Sequence, residues 1–285
     1  MSKEVLILGS QGTLGQALVK EFTDAGFNVT GWDRGDLDIT TPEAGQKIKE
    51  FAPKILINAT GYNAVDKAES LEEEKNMAFI LNAEVPGKLA EICKHIGAIF
   101  VNFSTDYVFK GDKKEGYKED DVPSPISVYG ESKQEGEKLV TEKGEKYYIV
   151  RLSRLFGEKG ISELSKRSFV DIMLAEIDKP ELMVKNEEVG SLTYAPDLAK
   201  FIRELVESDV SWGIYHGANS GSCTWYGWAE EIFKIKGKGP KLIKGKASDY
   251  NNPAKRPAFS MLLNTKRPQQ RGWKDALKEF LGEKS

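Results

Sequence analysis

The chain has 285 residues, 40% hydrophobic and 30% charged, with a formal net charge of −3. That is apolar material for one large or two modest globular units, and the balance excludes a general basic surface for nucleic acid. No apolar run approaches the ~20 residues of a membrane span, and the opening MSKEVLILGS is charged too soon for a secretory leader.

Residues 5–8 form a short apolar run that stops at Gly9, the pattern of a buried parallel strand. Leu14, Ala17, Leu18 and Phe22 then recur at helical spacing until Gly26 closes the helix. Residues 28–33 read as a second strand, Pro42 starts a second helix, and residues 54–60 form a third strand. The long helix over 76–97 is softly broken around Pro86. A fourth strand at 98–105, a helix over 127–142 and a fifth strand at 146–153 follow. Strand alternating with helix predicts a doubly wound, parallel Rossmann-type α/β sheet covered on both faces. Past residue 153 the alternation loosens. Apolar patches at 182–184, 212–218 and 241–243 are interspersed with helices at 194–206, 225–234 and 273–281, a smaller mixed α/β lobe. We expect residues 1–153, with parts of 190–220, to bind a dinucleotide, and about 154–189 and 221–285 to bind substrate, with the site in the cleft between.

Gly9, Gly12 and Gly15 space as G-x-x-G-x-x-G between the first strand and the first helix. A tight turn there lets backbone approach a pyrophosphate and aims a helix N-terminus at it. Gly9, Gln11, Gly12, Thr13, Leu14 and Gly15 are therefore cofactor candidates. Asp33 ends the second strand about 20 residues on, where a carboxylate accepts from a ribose 2′-hydroxyl and favours NADH. Arg34 beside it suits a 2′-phosphate, so NADPH and NADH both stay open. Asp38 and Ile39 can meet the adenine, and Ala59, Thr60 and Gly61 leave the third strand beside the cofactor.

The fourth strand ends in Ser104, Thr105 and Asp106, on the edge of the sheet where ligands bind. Tyr129 and Lys133 stand four apart on one helix face. A free phenol has a pKa near 10. A nearby ammonium favours the phenolate, so Lys133 is expected to lower Tyr129 and let it donate a proton to a carbonyl oxygen. Thr105 would hold the same oxygen. The two cysteines (Cys93, Cys223) and two histidines (His95, His216) lie apart without ligand spacing, so no metal site is expected and a reducing, cytoplasmic setting is. The acidic runs at 72–75 and 118–121 read as solvated loops.

Together the glycine triplet, STDYVF (104–109) and Tyr129-x-x-x-Lys133 resemble an extended short-chain dehydrogenase/reductase. NATGYNAVDKAE (58–69), STDYVFKG (104–111), SPISVYGESKQEGE (124–137) and AKRPAFSML (254–262) are similar, more narrowly, to the dTDP-4-dehydrorhamnose reductase family, over nearly the whole chain. The resemblance implies NADPH- or NADH-dependent reduction of the 4-keto group of a dTDP-linked 6-deoxysugar for cell-surface polysaccharide, and it allows a homodimer. It implies Thr105, Tyr129 and Lys133 as the catalytic trio with Asp106 beside them, and Lys133 also on the nicotinamide ribose. On the substrate side it implies Val65, Ser104, Thr105, Asp106 and Tyr129, with Arg256 on the diphosphate. Related dehydratases follow Thr-Asp with a glutamate base; Tyr107 fills that slot here, which argues against dehydration. Where the family carries a tryptophan after the fifth strand, this chain has Arg154, a departure that points to a changed sugar or anion contact. Trp225 and Tyr226 read as packing aromatics. An epimerase of the same superfamily and a non-catalytic nucleotide-binding regulatory subunit stand as alternatives.

Overall fold

In the computed structural model, which describes residues 4–162 and 165–282, the five expected strands lie side by side. They are β1 (Glu4–Leu8), β2 (Asn28–Trp32), β3 (Ile55–Asn58), β4 (Ile99–Thr105) and β5 (Tyr147–Leu152). A sixth strand, Gly213–His216, pairs with β5. The sheet is parallel throughout, in the order β2-β1-β3-β4-β5 and then Gly213–His216. Strand periodicity sends alternate residues to opposite faces. Val5 and Ile7 pack with Leu18, Phe22 and Ile202 on one face. Leu6 and Leu8 pack with Ile48, Leu89 and Phe100 on the other. Both faces being covered explains the consecutive apolar residues of Val5–Leu8 and Ile55–Ile57 in place of alternation.

The softly broken helix resolves into three pieces: Glu72–Phe79, a π-helical turn at Ile80–Glu84, and Val85–Ile96. Pro86 has no N–H to give the preceding turn. The neighbouring helix Val128–Lys143 uses that irregularity. At Gly136 a Cβ would lie 1.9 Å from the Asn82 carbonyl oxygen, so only glycine lets the two helices come this close. A further helix, Val65–Ser70, lies in the connection between β3 and this broken helix.

The C-terminal lobe has its own core, with Phe156, Val184, Leu192, Trp228, Ile232 and Leu277 buried together. Two of the predicted apolar patches pair with each other in parallel, as Glu181–Lys185 and Lys241–Gly245. Cys223–Thr224, Val189–Gly190 and Phe259–Ser260 make a small three-stranded sheet. None of the helices among the described residues is long and apolar enough to cross a membrane.

A buried ion pair ties β5 to the helix Val128–Lys143 and leads on to the C-terminal lobe. Arg151, on β5, is 1% exposed and donates to Glu137 in a fork, Nε to Oε1 at 2.8 Å and Nη2 to Oε2 at 2.7 Å. Its Nη1 reaches the Glu119 carbonyl at 3.2 Å. Glu119 is itself buried and accepts from the Thr265 N–H and hydroxyl. The acidic run 118–121, expected as a solvated loop, is thus an inter-lobe contact, because its one buried carboxylate finds donors from the far end of the chain. Truncating one partner of such a pair leaves a buried charge uncompensated. Glu137→Ala should lose about 3–5 kcal/mol of unfolding free energy in urea titration, whereas Lys138→Ala on the exposed side of the same helix should stay within ~0.5 kcal/mol.

Candidate active site

A cavity of about 1150 Å³ runs from the glycine-rich turn, past the ends of β3, β4 and β5, to the C-terminal lobe. Gly9 adopts φ +77°, the left-handed region that glycine occupies at no steric cost. At Gly15 a Cβ would sit 2.0 Å from the Gly9 carbonyl oxygen, so the helix Thr13–Asp24 starts flush against the turn. Its Gly12 cap contributes no side chain, leaving first-turn N–H groups for an anion. These features fit a dinucleotide pyrophosphate. Gln11, Thr13 and Leu14 line the same end.

Asp33 Oδ2 accepts from the Ser10 hydroxyl at 2.5 Å and the Gln11 N–H at 3.0 Å, so the carboxylate is fixed to the turn and its other oxygen is left for a ribose hydroxyl. Arg34 is largely exposed, with Nε 3.7 Å from Asp38. Asp38 caps its own turn, accepting from the Thr40 N–H and hydroxyl, and those bonds hold it below the usual carboxylate range. Ile39 lines the cavity next to it. Asn58 Oδ1 accepts from the Thr60 hydroxyl at 2.5 Å, which shapes the strand exit so that Ala59, Thr60 and Gly61 line the cavity. A Cβ on Gly61 would be 3.1 Å from Lys133 Nζ.

Tyr129 and Lys133 lie in the helix Val128–Lys143, whose N-terminus is capped by the Ser127 hydroxyl accepting from Gly130 N–H. Lys133 Nζ donates to the Phe103 carbonyl at 3.2 Å. Asn82 braces this helix: its Nδ2 donates to Ser132 Oγ and to the Tyr62 carbonyl, and its Oδ1 accepts from Tyr62 N–H. Sequence reading missed Asn82, because nothing in the pattern marks a polar residue on an apolar helix as a brace. The expected lowering of Tyr129 by Lys133 is not what the structure gives. Burial pushes the Tyr129 phenol up to about 12, against a hydrogen bond with Thr105. Burial likewise pulls Lys133 down to about 8, against the charge of Glu137. For each group removal from water is the dominant cause.

Thr105 Oγ1 accepts from the Tyr107 N–H and donates to Asp106 Oδ1. Asp106, 3% exposed, also accepts from Ser153 Oγ at 2.8 Å and Ser260 Oγ at 2.5 Å. Burial raises its pKa, the three hydroxyls opposing. Ser104 lines the cavity, while its Oγ is inaccessible and has no partner among the described residues.

At the lobe end the structure separates the predicted substrate residues. Val65, Arg154 and the strand-end residues line the cavity, whereas Arg256 does not. Arg256 instead forks onto Asp66, Nη2–Oδ2 2.7 Å and Nη1–Oδ1 3.1 Å. Arg154, at φ +45°, places its guanidinium 4.2 Å over the Trp225 ring and donates to the carbonyls of Cys223 and Glu188. Trp225 Nε1 donates to Glu188 Oε2 at 2.8 Å. Trp225 and Tyr226 both pack against the lobe core as expected, and Trp225 in addition forms a cavity wall. Two cations went unread: Lys166 and Arg167 line the cavity. Lys166 Nζ donates to the Asn63 carbonyl at 3.2 Å, and burial and the like charge of Lys67 lower its pKa. Arg167 has no partner among the described residues. The chain before these cations is laid over the glycine turn by Ile161 N–H donating to the Gln11 carbonyl.

A dinucleotide turn, a part-buried Tyr-Lys pair and a strand-end threonine on one cavity define an NAD(P)-dependent oxidoreductase of the extended short-chain dehydrogenase class. The sequence pattern of the family described as RmlD substrate binding domain matches residues 3–285. Spore coat polysaccharide biosynthesis protein SpsK of Bacillus subtilis is 32% identical, covering 99% of this chain and 98% of that protein. The dTDP-4-dehydrorhamnose reductase of Streptomyces griseus is 34% identical, covering 95% of this chain and 87% of its own. The crystal structure of dTDP-4-dehydrorhamnose reductase from Bacillus anthracis in complex with NADP superposes with a TM-score of 0.92 at 33% identity, covering both chains in full. The chain belongs to the RmlD family and is a sugar-nucleotide reductase of that family.

Lys133 is charged below about pH 8 and discharges as pH rises through that value, while Tyr129 keeps its proton to about 12. Reductase kcat/KM should therefore fall above pH ~8. In Lys133→Arg, at lower overall rate, that alkaline limb should be missing from the pH profile, since guanidinium does not titrate there.

Proposed function

We propose that this enzyme reduces the 4-keto group of dTDP-4-dehydro-L-rhamnose to dTDP-L-rhamnose, with NADPH or NADH as reductant. The observation that carries the reading is the meeting of Tyr129, Thr105 and Lys133 on one cavity that begins at the glycine turn and ends at the lobe. The similarity to dTDP-4-dehydrorhamnose reductases adds the sugar.

When bound, the reduced nicotinamide supplies hydride to the carbonyl carbon. Gly9, Gln11, Gly12, Thr13, Leu14 and Gly15 would hold its pyrophosphate, Asp33 or Arg34 its adenosine ribose, Asp38 and Ile39 its adenine, and Ala59, Thr60, Gly61 and Lys133 its nicotinamide side. Tyr129 gives its phenolic proton to the carbonyl oxygen, which becomes the new hydroxyl. Thr105 fixes that oxygen, and the Lys133 ammonium stabilises the phenolate left behind. Ser104, Asp106 and Val65 border the sugar. Lys166 and Arg167 meet the diphosphate, because Arg256 is already satisfied by Asp66. In this reading residues 1–153 with parts of 190–220 carry the cofactor, about 154–189 and 221–285 carry the sugar nucleotide, and the enzyme works in the cytoplasm, alone or as a homodimer.

A second reading changes only the sugar. Arg154, stacked on Trp225 at the lobe end, supports another nucleotide-linked 4-ketose.

Purified protein supplied with dTDP-4-dehydro-L-rhamnose should oxidise NADPH or NADH and yield dTDP-L-rhamnose, followed by loss of reduced-nicotinamide absorbance and by chromatography. No oxidation by protein that binds the cofactor would shift the reading to the second sugar class. Tyr129→Phe should lower kcat by ~10²–10⁴-fold with the Kd for NADPH unchanged. Arg167→Gln should raise KM for the sugar nucleotide about tenfold, the loss of a charge-assisted hydrogen bond, and leave cofactor KM alone.

A further inference from the structure

The cavity contains a second phenol that the reaction above leaves unused. Tyr107 lines the cavity one residue past Asp106. Its ring meets the Tyr129 ring edge to face, with centroids 5.7 Å apart and planes at 78°. Two backbone contacts lock this spacing. Tyr107 N–H donates to Thr105 Oγ1 at 3.2 Å. At Gly130, next to Tyr129, a Cβ would lie 2.3 Å from the Tyr107 carbonyl oxygen, so glycine alone allows the approach. The Tyr107 hydroxyl makes no hydrogen bond with any described residue, although the tyrosine is mostly buried. The charges acting on it are those of Asp106, Arg256, Glu188 and Arg154. A phenol that lines the cavity without a protein partner is left for water or a ligand to satisfy.

We infer that Tyr107 is a substrate-contacting residue whose hydroxyl bonds the oxygen on the carbon next to the reacting carbonyl. Two phenols in fixed register then read two neighbouring oxygens: Tyr129 protonates the ketone oxygen and Tyr107 holds the adjacent hydroxyl. The site would thereby select 4-keto sugars that carry a hydroxyl beside the ketone over those deoxygenated there. A site built to hydrogen-bond a hydroxyl discriminates against the analogue that lacks it, because its own polar group is left unpaired. This inference rests on the proposed sugar-nucleotide reductase activity.

The test uses Tyr107→Phe, which keeps the ring and its packing on Tyr129 and removes only the hydroxyl. Wild type and variant are compared on dTDP-4-dehydro-L-rhamnose and on its analogue lacking the hydroxyl next to the ketone. For the hydroxylated sugar we expect KM to rise about tenfold with kcat within about threefold of wild type, the pattern of lost uniform binding. For the deoxy analogue, wild type and variant should have the same KM. Equal KM values for wild type and variant on the hydroxylated sugar overturn the inference and leave the reductase reading standing. An equal KM rise on both sugars also overturns it, since the hydroxyl would then act through the protein. No turnover of either sugar by the wild type overturns the reductase reading and this inference with it. Circular dichroism and NADPH affinity of the variant, both expected at wild-type values, separate a lost contact from a lost fold.

Discussion

A carboxylate taken out of water must be met by hydrogen bonds or by a cation, and otherwise costs several kcal/mol. Asp106 is nearly inaccessible, and among the described residues the Arg154 cation acts on it without a direct hydrogen bond. Its oxygens are met by three hydroxyls, from Thr105 at the end of β4, Ser153 just past β5 and Ser260 in the C-terminal lobe. Each hydroxyl comes from a different segment, so the carboxylate can be satisfied only when sheet and lobe are assembled. The same bonds set the Thr105 hydroxyl, which is shared with Tyr129 and with the Tyr107 N–H. The point where the lobes are joined is therefore also the point where, in the proposed reaction, Thr105 would hold the carbonyl oxygen.

The helix carrying Tyr129 and Lys133 is positioned by backbone rather than by side-chain bulk. The irregular turn at Ile80–Glu84, Gly136 against the Asn82 carbonyl, and Gly130 against the Tyr107 carbonyl let this helix sit closer to its neighbours than side chains would permit. Close approach takes both groups out of water. The phenol is pushed up to about 12 and the lysine down to about 8, so desolvation rather than the charge pairing that local spacing implies sets both directions.

Cations at the substrate end are divided between support and solvent-facing positions. Arg151 and Arg256 are each forked onto a carboxylate, and Arg154 is held by two carbonyls and an indole face. These guanidinium groups are spent on joining segments distant in sequence. Lys166 and Arg167 line the cavity, and Ile161 lies over the glycine turn.

The order of strands and helices, the glycine turn and the Tyr-Lys face were legible in the sequence, because each depends on local periodicity or on spacing within one element. So were the candidates at the ends of β1 to β4, since a parallel sheet presents those ends together. Arg256 illustrates the limit. Its residue type suits a phosphate, but Asp66, 190 residues away, already occupies it. Trp225 looks like any core aromatic until Arg154 and Glu188 are seen to hold it at the cavity wall. Glu119 reads as a loop charge until Thr265 is placed beside it. The sequence by itself determined which chemical groups the chain carries and which share an element. Only the tertiary structure decided which charges are already paired and which polar groups are left for a ligand, because hydrogen-bond satisfaction depends on partners that sequence distance does not reveal.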